Sequence, residues 1–108
     1  MNTKEIIDFL KEEYEKKYNV PNATDKELVE WLGELRDGAV HKEVRTTHRW
    51  WYDWFFIVKI GDKLIGYDWA TTTGDMTPRE CGWEFDFDTL REWKEEQTTI
   101  TCYRPKVD

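Results

Sequence analysis

The chain has 108 residues, enough for one domain with a buried core and too few for two. It is 39% apolar and 36% charged, which is typical of a globular protein, whereas an aromatic content of 16% with seven tryptophans is high. The formal net charge of −7 argues against direct binding to nucleic-acid backbone or to anionic membrane, because both favour a basic surface.

The distribution of charge along the chain and the two cysteines further limit the classes of protein to which it can belong. Lys and Arg number 6 against 10 Asp and Glu in residues 1–38, 5 against 4 in residues 39–73, and 5 against 9 in residues 74–108. Cys81 and Cys102 have neither metal-binding spacing nor the density of a disulfide scaffold. There is no signal-peptide core and no apolar run of membrane-spanning length. We therefore expect a cytoplasmic protein that needs no cofactor and does not bind membranes.

The first 38 residues predict a helical hairpin. Apolar residues at three- and four-residue spacings favour a helix over 3–18, capped by Asn2 or Thr3 and ended before Pro21. A second helix is predicted over 25–37, because Thr24 and Glu27 have the capping-box pattern and Gly38 suits a left-handed C-terminal position. Gly33, inside this helix, indicates either close approach by a neighbour or local weakening.

An aromatic hairpin follows. From about Arg45 the period becomes two, which predicts one long strand to Ile60, a type II′ turn at Gly61-Asp62 and a return strand over 63–73. This register pairs aromatic with aromatic on one face, which we expect to be core: Trp50, Tyr52, Trp54, Phe56, Tyr67 and Trp69. The opposite face carries Trp51, Asp53, Phe55, Ile57 and Asp68.

The remaining chain predicts two more strands and a short helix. Residues 74–82 contain two glycines and a proline and predict a loop. Alternating aromatic and acidic residues over 83–87 predict a third strand, a capping-box pattern at Thr89 and Glu92 predicts a helix over 89–96, and 97–104 predicts a fourth strand. The order is α-α-β-β-β-α-β in a single α+β domain over 1–108, with the helical hairpin at about 3–38 packed on an antiparallel sheet at about 44–104.

An acidic surface is the leading candidate for function. The helical hairpin can cover one sheet face only, so Trp51 and Phe55 on the other need a partner, a second subunit in a homodimer, or the short third helix. Solvated surface is the simpler interpretation of the acidic residues, but together with uncovered rings they suit a protein partner with a basic surface. The predicted partner-binding residues are Glu84, Asp86, Asp88, Glu92, Glu95 and Glu96, with Trp51 and Phe55.

The basic start of the hairpin supports an alternative. Asp53 and Asp68 would lie diagonally on the second face, where two carboxylates among rings can divide acid and base roles or bind a cation. A nucleotide-binding or metal-dependent hydrolytic pocket would use Arg45, His48 and Arg49 for phosphate and Trp51 for base stacking. Structural roles for all of these, as a charged strand edge or as hydrogen-bond acceptors, are the simpler interpretation of the pattern.

No motif assigns a reaction. His41 and His48 lack a third ligand at zinc-site spacing, and there is no nucleophile signature and no phosphate-binding loop. An enzyme is therefore not indicated, and we predict neither catalytic residues nor a metal. The profile is typical of a small inhibitor or accessory factor that occupies another molecule, such as a phage- or mobile-element-encoded inhibitor of a nucleic-acid-binding host defence protein.

Overall fold

The computed structural model describes residues 1–72 and 83–95, and these form the α+β arrangement that the sequence predicts. Two helices, α1 (Thr3–Tyr18) and α2 (Asp25–Leu35), precede the sheet. The sheet has four antiparallel strands in the order β1-β2-β3-β4, which are His41–Thr47, Trp51–Ile60, Lys63–Thr72 and Arg91–Trp93. The predicted loop at 74–82 and the predicted strand at 97–104 lie outside the described residues.

The predicted helix starts are confirmed. The Asn2 side chain accepts from the backbone N–H of Glu5 at 2.8 Å, and Thr24 does the same for Glu27 at 3.2 Å, each within a reciprocal capping box. Asn19 ends α1 in the left-handed conformation with φ of 54°. The expected left-handed Gly38 is wrong: α2 passes into a 3₁₀ turn at Arg36–Gly38, and Gly38 does not have positive φ.

The hairpin register is confirmed along its whole length. Strands β2 and β3 pair from Trp51 with Thr72 to Ile60 with Lys63. Gly61 has φ of 62° whereas Asp62 has no positive φ, as a type II′ turn requires. The assignment of side chains to two faces therefore holds.

The single long strand predicted before this turn is wrong, because two strands occupy that stretch. Strand β1 ends at Thr47, and β2 begins at Trp51. The backbone N–H of His48 donates to the Trp51 carbonyl at 2.8 Å and closes the tight connection. This connection contains no Gly, Pro, Asn or Asp, which are the usual turn residues, so the sequence pattern does not show it. The split adds β1 as an edge strand beside β2.

The helices cover the first face only near the Gly61-Asp62 turn. The buried core joins Ile6 and Leu10 of α1 and Leu28 and Leu32 of α2 to four strand residues, which are Phe56, Val58, Ile65 and Tyr67. The Tyr67 hydroxyl donates to the Leu32 carbonyl at 2.5 Å. Gly33 gives the close approach that was one of its two predicted roles, since a Cβ there would lie 3.0 Å from the Trp69 ring.

The far end of the same face stays open. Trp50 is 56% exposed and Tyr52 is 36% exposed, so the expectation that both are core is wrong. Trp50 lies in the β1–β2 connection rather than in a strand, and Tyr52 lies beyond the reach of the helices. Trp54 and Trp69 are half-buried between the two regions.

The order of elements after residue 83 differs from the prediction. Residues 83–86 belong to no strand, a 3₁₀ turn follows at Phe87–Thr89, and Arg91–Trp93 is a strand where a helix was predicted. The capping-box pattern fails because its side chains bind elsewhere: the Thr89 hydroxyl donates to the Asp86 carbonyl and accepts from the Asp68 N–H. Glu92 pairs with Lys63 and with the N-terminal amine. Residues 91–93 instead pair with the edge of β3.

Candidate functional site

The acidic row Glu84, Asp86 and Asp88 points outward from the segment that follows residue 82. All three residues are exposed, whereas Trp83, Phe85 and Phe87 between them are half-buried. The alternation predicted for a strand is therefore present, although the segment forms no strand. The alternation arises because every second residue is aromatic and packs its ring on the edge of the core.

Ring packing anchors the acidic row. The Phe85 ring lies 6.0 Å from that of Tyr67 and 5.6 Å from that of Trp69. The Trp83 ring lies 5.1 Å from Trp69, and Phe87 meets Phe85 edge-on at 5.1 Å. Aromatic contacts of this kind add to the stabilisation from buried area, so the row is attached to β3 by three successive rings.

The local backbone also fixes the row. Asp86 caps the 3₁₀ turn, with its carboxylate accepting from the Asp88 N–H at 2.9 Å. Within residues 1–72 and 83–95, none of the three carboxylates of the row forms an ion pair. Three anions are thus held outward at alternate positions with their charge uncompensated by the described chain.

The other predicted acidic residues are not equivalent to this row. Glu92 lies 3.3 Å from the Lys63 ammonium and 3.7 Å from the N-terminal amine, so much of its charge is neutralised. Glu95 is exposed beyond the end of β4. Glu96 lies outside the described residues. Only Glu84, Asp86 and Asp88 therefore form the predicted surface in the alternating pattern.

A cleft joins the acidic row to the predicted Asp53 and Asp68 pair. Its volume is about 390 Å³, and its walls are Thr46, Asp53, Asp68, Trp69, Trp83, Glu84, Asp86 and Thr89. The pKa of Asp68 is raised, mainly because burial disfavours the charged form, while Arg45 lowers it and Asp53 and Asp86 raise it further. The cleft therefore brings four carboxyl groups together, two of which also contact Arg45 and His48.

The cleft shows no metal centre among the residues that the structure describes. No group of three or more His, Cys, Asp or Glu side chains there is arranged to hold a metal ion. The chain contains no serine, and the two threonines of the cleft walls lack an adjacent histidine base in the hydrogen bonds of the described region.

The predicted ligand-binding residues come together at the open end of β1 and β2. His48 Nε2 lies 2.7 Å from an Asp53 carboxylate oxygen, and the His48 ring stacks on Trp51 at 4.5 Å with an interplanar angle of 24°. The Arg45 guanidinium lies 4.1 Å from the centre of the Phe55 ring and 3.9 Å from Asp68. His48 and Arg45 thus each contact both a ring and a carboxylate of their own chain.

Of the three kinds of cover expected for Phe55, the segment predicted as the short third helix supplies one, although this segment forms β4. Phe55 is 5% exposed, because the rings of Trp93 and His41 lie 5.1 and 6.1 Å from its centre and Arg45 lies above it. Trp51 remains half-buried. Phe55 therefore offers little surface to a partner or to a second copy.

Sequence reasoning missed Trp93 as a residue of this face. Its indole lies over Gly66, where a side chain would collide with it. An isolated glycine inside a strand is itself a signal for such close approach, and Gly66 carries that signal in the sequence. Thr46 and Thr89, which line the cleft, had no signal of comparable strength.

Comparison of the chain with protein-family models, with curated proteins and with solved structures found no match. In the described region, neither helix is long and apolar enough to cross a membrane.

Proposed function

We propose that the chain is a protein-binding module that occupies a basic surface of its partner through the acidic row Glu84, Asp86 and Asp88. The observation that supports this most directly is the exposure of three acidic residues that form no ion pair within the described chain. Glu84 and Asp86 precede the 3₁₀ turn and Asp88 lies within it, so the row presents three negative charges within five residues. The cleft beside it adds Asp53 and Asp68 to the same field.

An inhibitory or accessory role suits this surface. A basic protein groove that normally holds nucleic acid would meet a similar series of anions on the acidic row, mounted on a rigid aromatic support. Preorganised charge favours fast, salt-dependent association and selects for a partner of opposite sign. The formal net charge of −7 acts in the same direction at long range.

The test is capture of the partner with matched charge variants. Tagged wild-type protein is used to isolate partners from extract of the native host, with identification by mass spectrometry. A row variant, Glu84→Gln with Asp86→Asn and Asp88→Asn, keeps the side-chain shapes and the Asp86 cap acceptor while changing the net charge from −7 to −4. The control, Asp8→Asn with Glu12→Gln and Glu34→Gln, makes the same change at exposed helix positions.

The two variants discriminate local from global charge. We expect the row variant to weaken binding of the captured partner at least about tenfold in 0.1 M salt, since buried or closely opposed charge pairs dominate such interfaces. The helix control should change affinity by less than about threefold through the general field alone. Equal losses in both variants, or no loss in the row variant, would remove the acidic row from the proposal.

The contact between His48 and Asp53 favours a second candidate function, a nucleotide-binding pocket. A histidine held at 2.7 Å from a carboxylate and stacked on a tryptophan resembles a base-stacking platform beside a polarised imidazole. Titration of common nucleotides and cyclic dinucleotides, with and without Mg²⁺, would report through Trp51 fluorescence. A saturable change that is lost in Trp51→Leu would support this candidate, and a flat response would end it.

A further inference from the structure

Among the described residues, strand β1 is an edge strand of the sheet. All seven of its residues, His41–Thr47, are exposed, and in the described part of the chain it pairs with β2 alone. An edge strand presents unpaired backbone N–H and C=O groups that can template pairing with another strand. The side chains of β1 determine which strand can pair with it.

The sequence of β1 is complementary to itself. In antiparallel pairing about a two-fold axis through Val44, Glu43 of one copy lies opposite Arg45 of the other, and the symmetry repeats the pair. Both side chains lie on the same face of the sheet: Glu43 is the strand partner of Phe55, and the Arg45 guanidinium lies over the Phe55 ring. Directly opposed residues have Cβ atoms about 4.5–5.5 Å apart, so Glu43 would exchange its contact with His41, and Arg45 its contact with Asp68, for this pair.

Charge also favours this register over the two registers that are shifted by two residues. Moving the pairing by two residues one way puts Glu43 opposite Glu43, and moving it the other way puts Arg45 opposite Arg45. Like charges directly opposed destabilise a strand pair. The bulge between Val44 and Thr46 limits regular pairing to Glu43, Val44 and Arg45, and this segment contains no other pair of like charges.

Apolar surface lies at the proposed axis. Val44 is 44% exposed and is the strand partner of half-buried Trp54, on the face that the helices leave open at this end. Tyr52 is 36% exposed on the same face. Pairing would bring Val44 against its own copy and reduce the exposure of this patch.

We propose that β1 is a dimerisation strand, which pairs with β1 of a second copy in the antiparallel register centred on Val44. The pairing joins two four-stranded sheets and uses each β1 edge once, so it closes instead of growing into a fibre. The irregularity between Val44 and Thr46 keeps the paired segment short. The proposal uses the sheet edge and not the acidic row, so it stands or falls independently of the proposed function.

Charge exchange tests the register as well as the dimer. Glu43→Arg places Arg opposite Arg, and Arg45→Glu places Glu opposite Glu, so each variant alone should dissociate at least about tenfold more readily than the wild type. Mixing the two variants restores opposite charges at both pairs and should give a heterodimer. The double variant Glu43→Arg with Arg45→Glu should dimerise with itself. Glu34→Arg, at an exposed position of α2, is the control for net charge.

Mass measurement by light scattering and sedimentation gives the readout. The expected wild-type mass is twice that of the 13.1 kDa chain, with monomers for each single reversal and a dimer for the mixture. Circular dichroism checks that Arg45→Glu folds without its contact to Phe55, and if it does not, the comparison of Glu43→Arg with Glu34→Arg decides alone. A wild type that is monomeric at millimolar concentration, or a Glu43→Arg variant that dimerises like Glu34→Arg, would overturn the proposal.

Discussion

The indole of Trp93 lies on Gly66, in the space that a side chain at position 66 would fill. Strands β4 and β3 bring the two residues together, with Trp93 paired to Leu64 and Arg91 paired to Gly66. The same indole packs against Phe55 at 5.1 Å. One short strand thereby covers the aromatic surface that the helices cannot reach.

Gly66→Ala should destabilise the fold by about 1–3 kcal/mol, because the added methyl group must displace Trp93 or the Phe55 ring. Urea unfolding followed by circular dichroism measures the change. Gly38→Ala is the matched control: a Cβ there meets no atom within 4 Å, so its effect should stay within about 0.5 kcal/mol. Equal stability of the two variants would contradict the packing described for Trp93.

Tyr67→Phe should cost about 1–3 kcal/mol at neutral pH. The buried phenol donates to the Leu32 carbonyl, and its loss leaves that carbonyl without this donor in the core between α2 and β3. Chemical unfolding at pH 7 gives the value, and Tyr52→Phe, at an exposed position, should change it by less than about 0.5 kcal/mol. If Tyr67→Phe leaves the free energy of unfolding unchanged, this hydrogen bond makes no net contribution to stability.

Tyr67 should also make the protein sensitive to alkali. Burial raises the pKa of its phenol above the ordinary value of 10.0, so the folded state keeps a proton that the unfolded state loses. Stability should therefore fall as the pH rises above about 10. Thermal unfolding between pH 8 and pH 11 should show a smaller decline in Tyr67→Phe than in the wild type, and parallel declines would assign the effect to other groups.

Asp68→Asn should be slightly stabilising at neutral pH. Burial raises the pKa of Asp68 above 3.8, so its carboxylate is disfavoured in the folded state once the pH exceeds that range. The side chain is partly exposed, and solvent screening keeps the gain below about 1 kcal/mol. The advantage over wild type should shrink as the pH is lowered to 3, where both side chains are neutral. If the stability advantage of Asp68→Asn over the wild type grew at acid pH, the pKa of Asp68 would not be raised in the folded state.

Local patterns predicted much of the fold. Side-chain chemistry within a few residues sets the Asn2 cap of α1, the capping box of Thr24 with Glu27, and the β2–β3 register about the Gly61 turn. Such features need no knowledge of distant parts of the chain. This is why they are correct to within one or two residues.

The predictions that failed depend on contacts between distant segments. Thr89 and Glu92 have the pattern of a helix start, but Asp68 and Lys63 on β3 bind their side chains and residues 91–93 join the sheet instead. The alternation over 83–88 gave the correct inward and outward sides with the wrong element type. Periodicity reports which side of a chain is buried and does not report what buries it.

The candidate site was predictable in part for the same reason. The outward direction of Glu84, Asp86 and Asp88 follows from alternation, whereas the ion pairs that separate Glu92 from them depend on Lys63 and on the N terminus. The cover over Phe55 comes from β4, β1 and the bulged residue Arg45, and no local pattern links these to Phe55.

Coverage of the hairpin by the helices only near Gly61 gives the sheet a gradient of local stability along its length. Amide hydrogens near Val58 and Ile65 lie beneath α1 and α2 and should exchange with solvent only through global unfolding. Those near Tyr52 and Thr71 lie beyond the helices and should exchange through smaller, more frequent openings. Local opening should therefore need the least free energy at the end of the molecule that carries His48, Trp51 and the β1 edge.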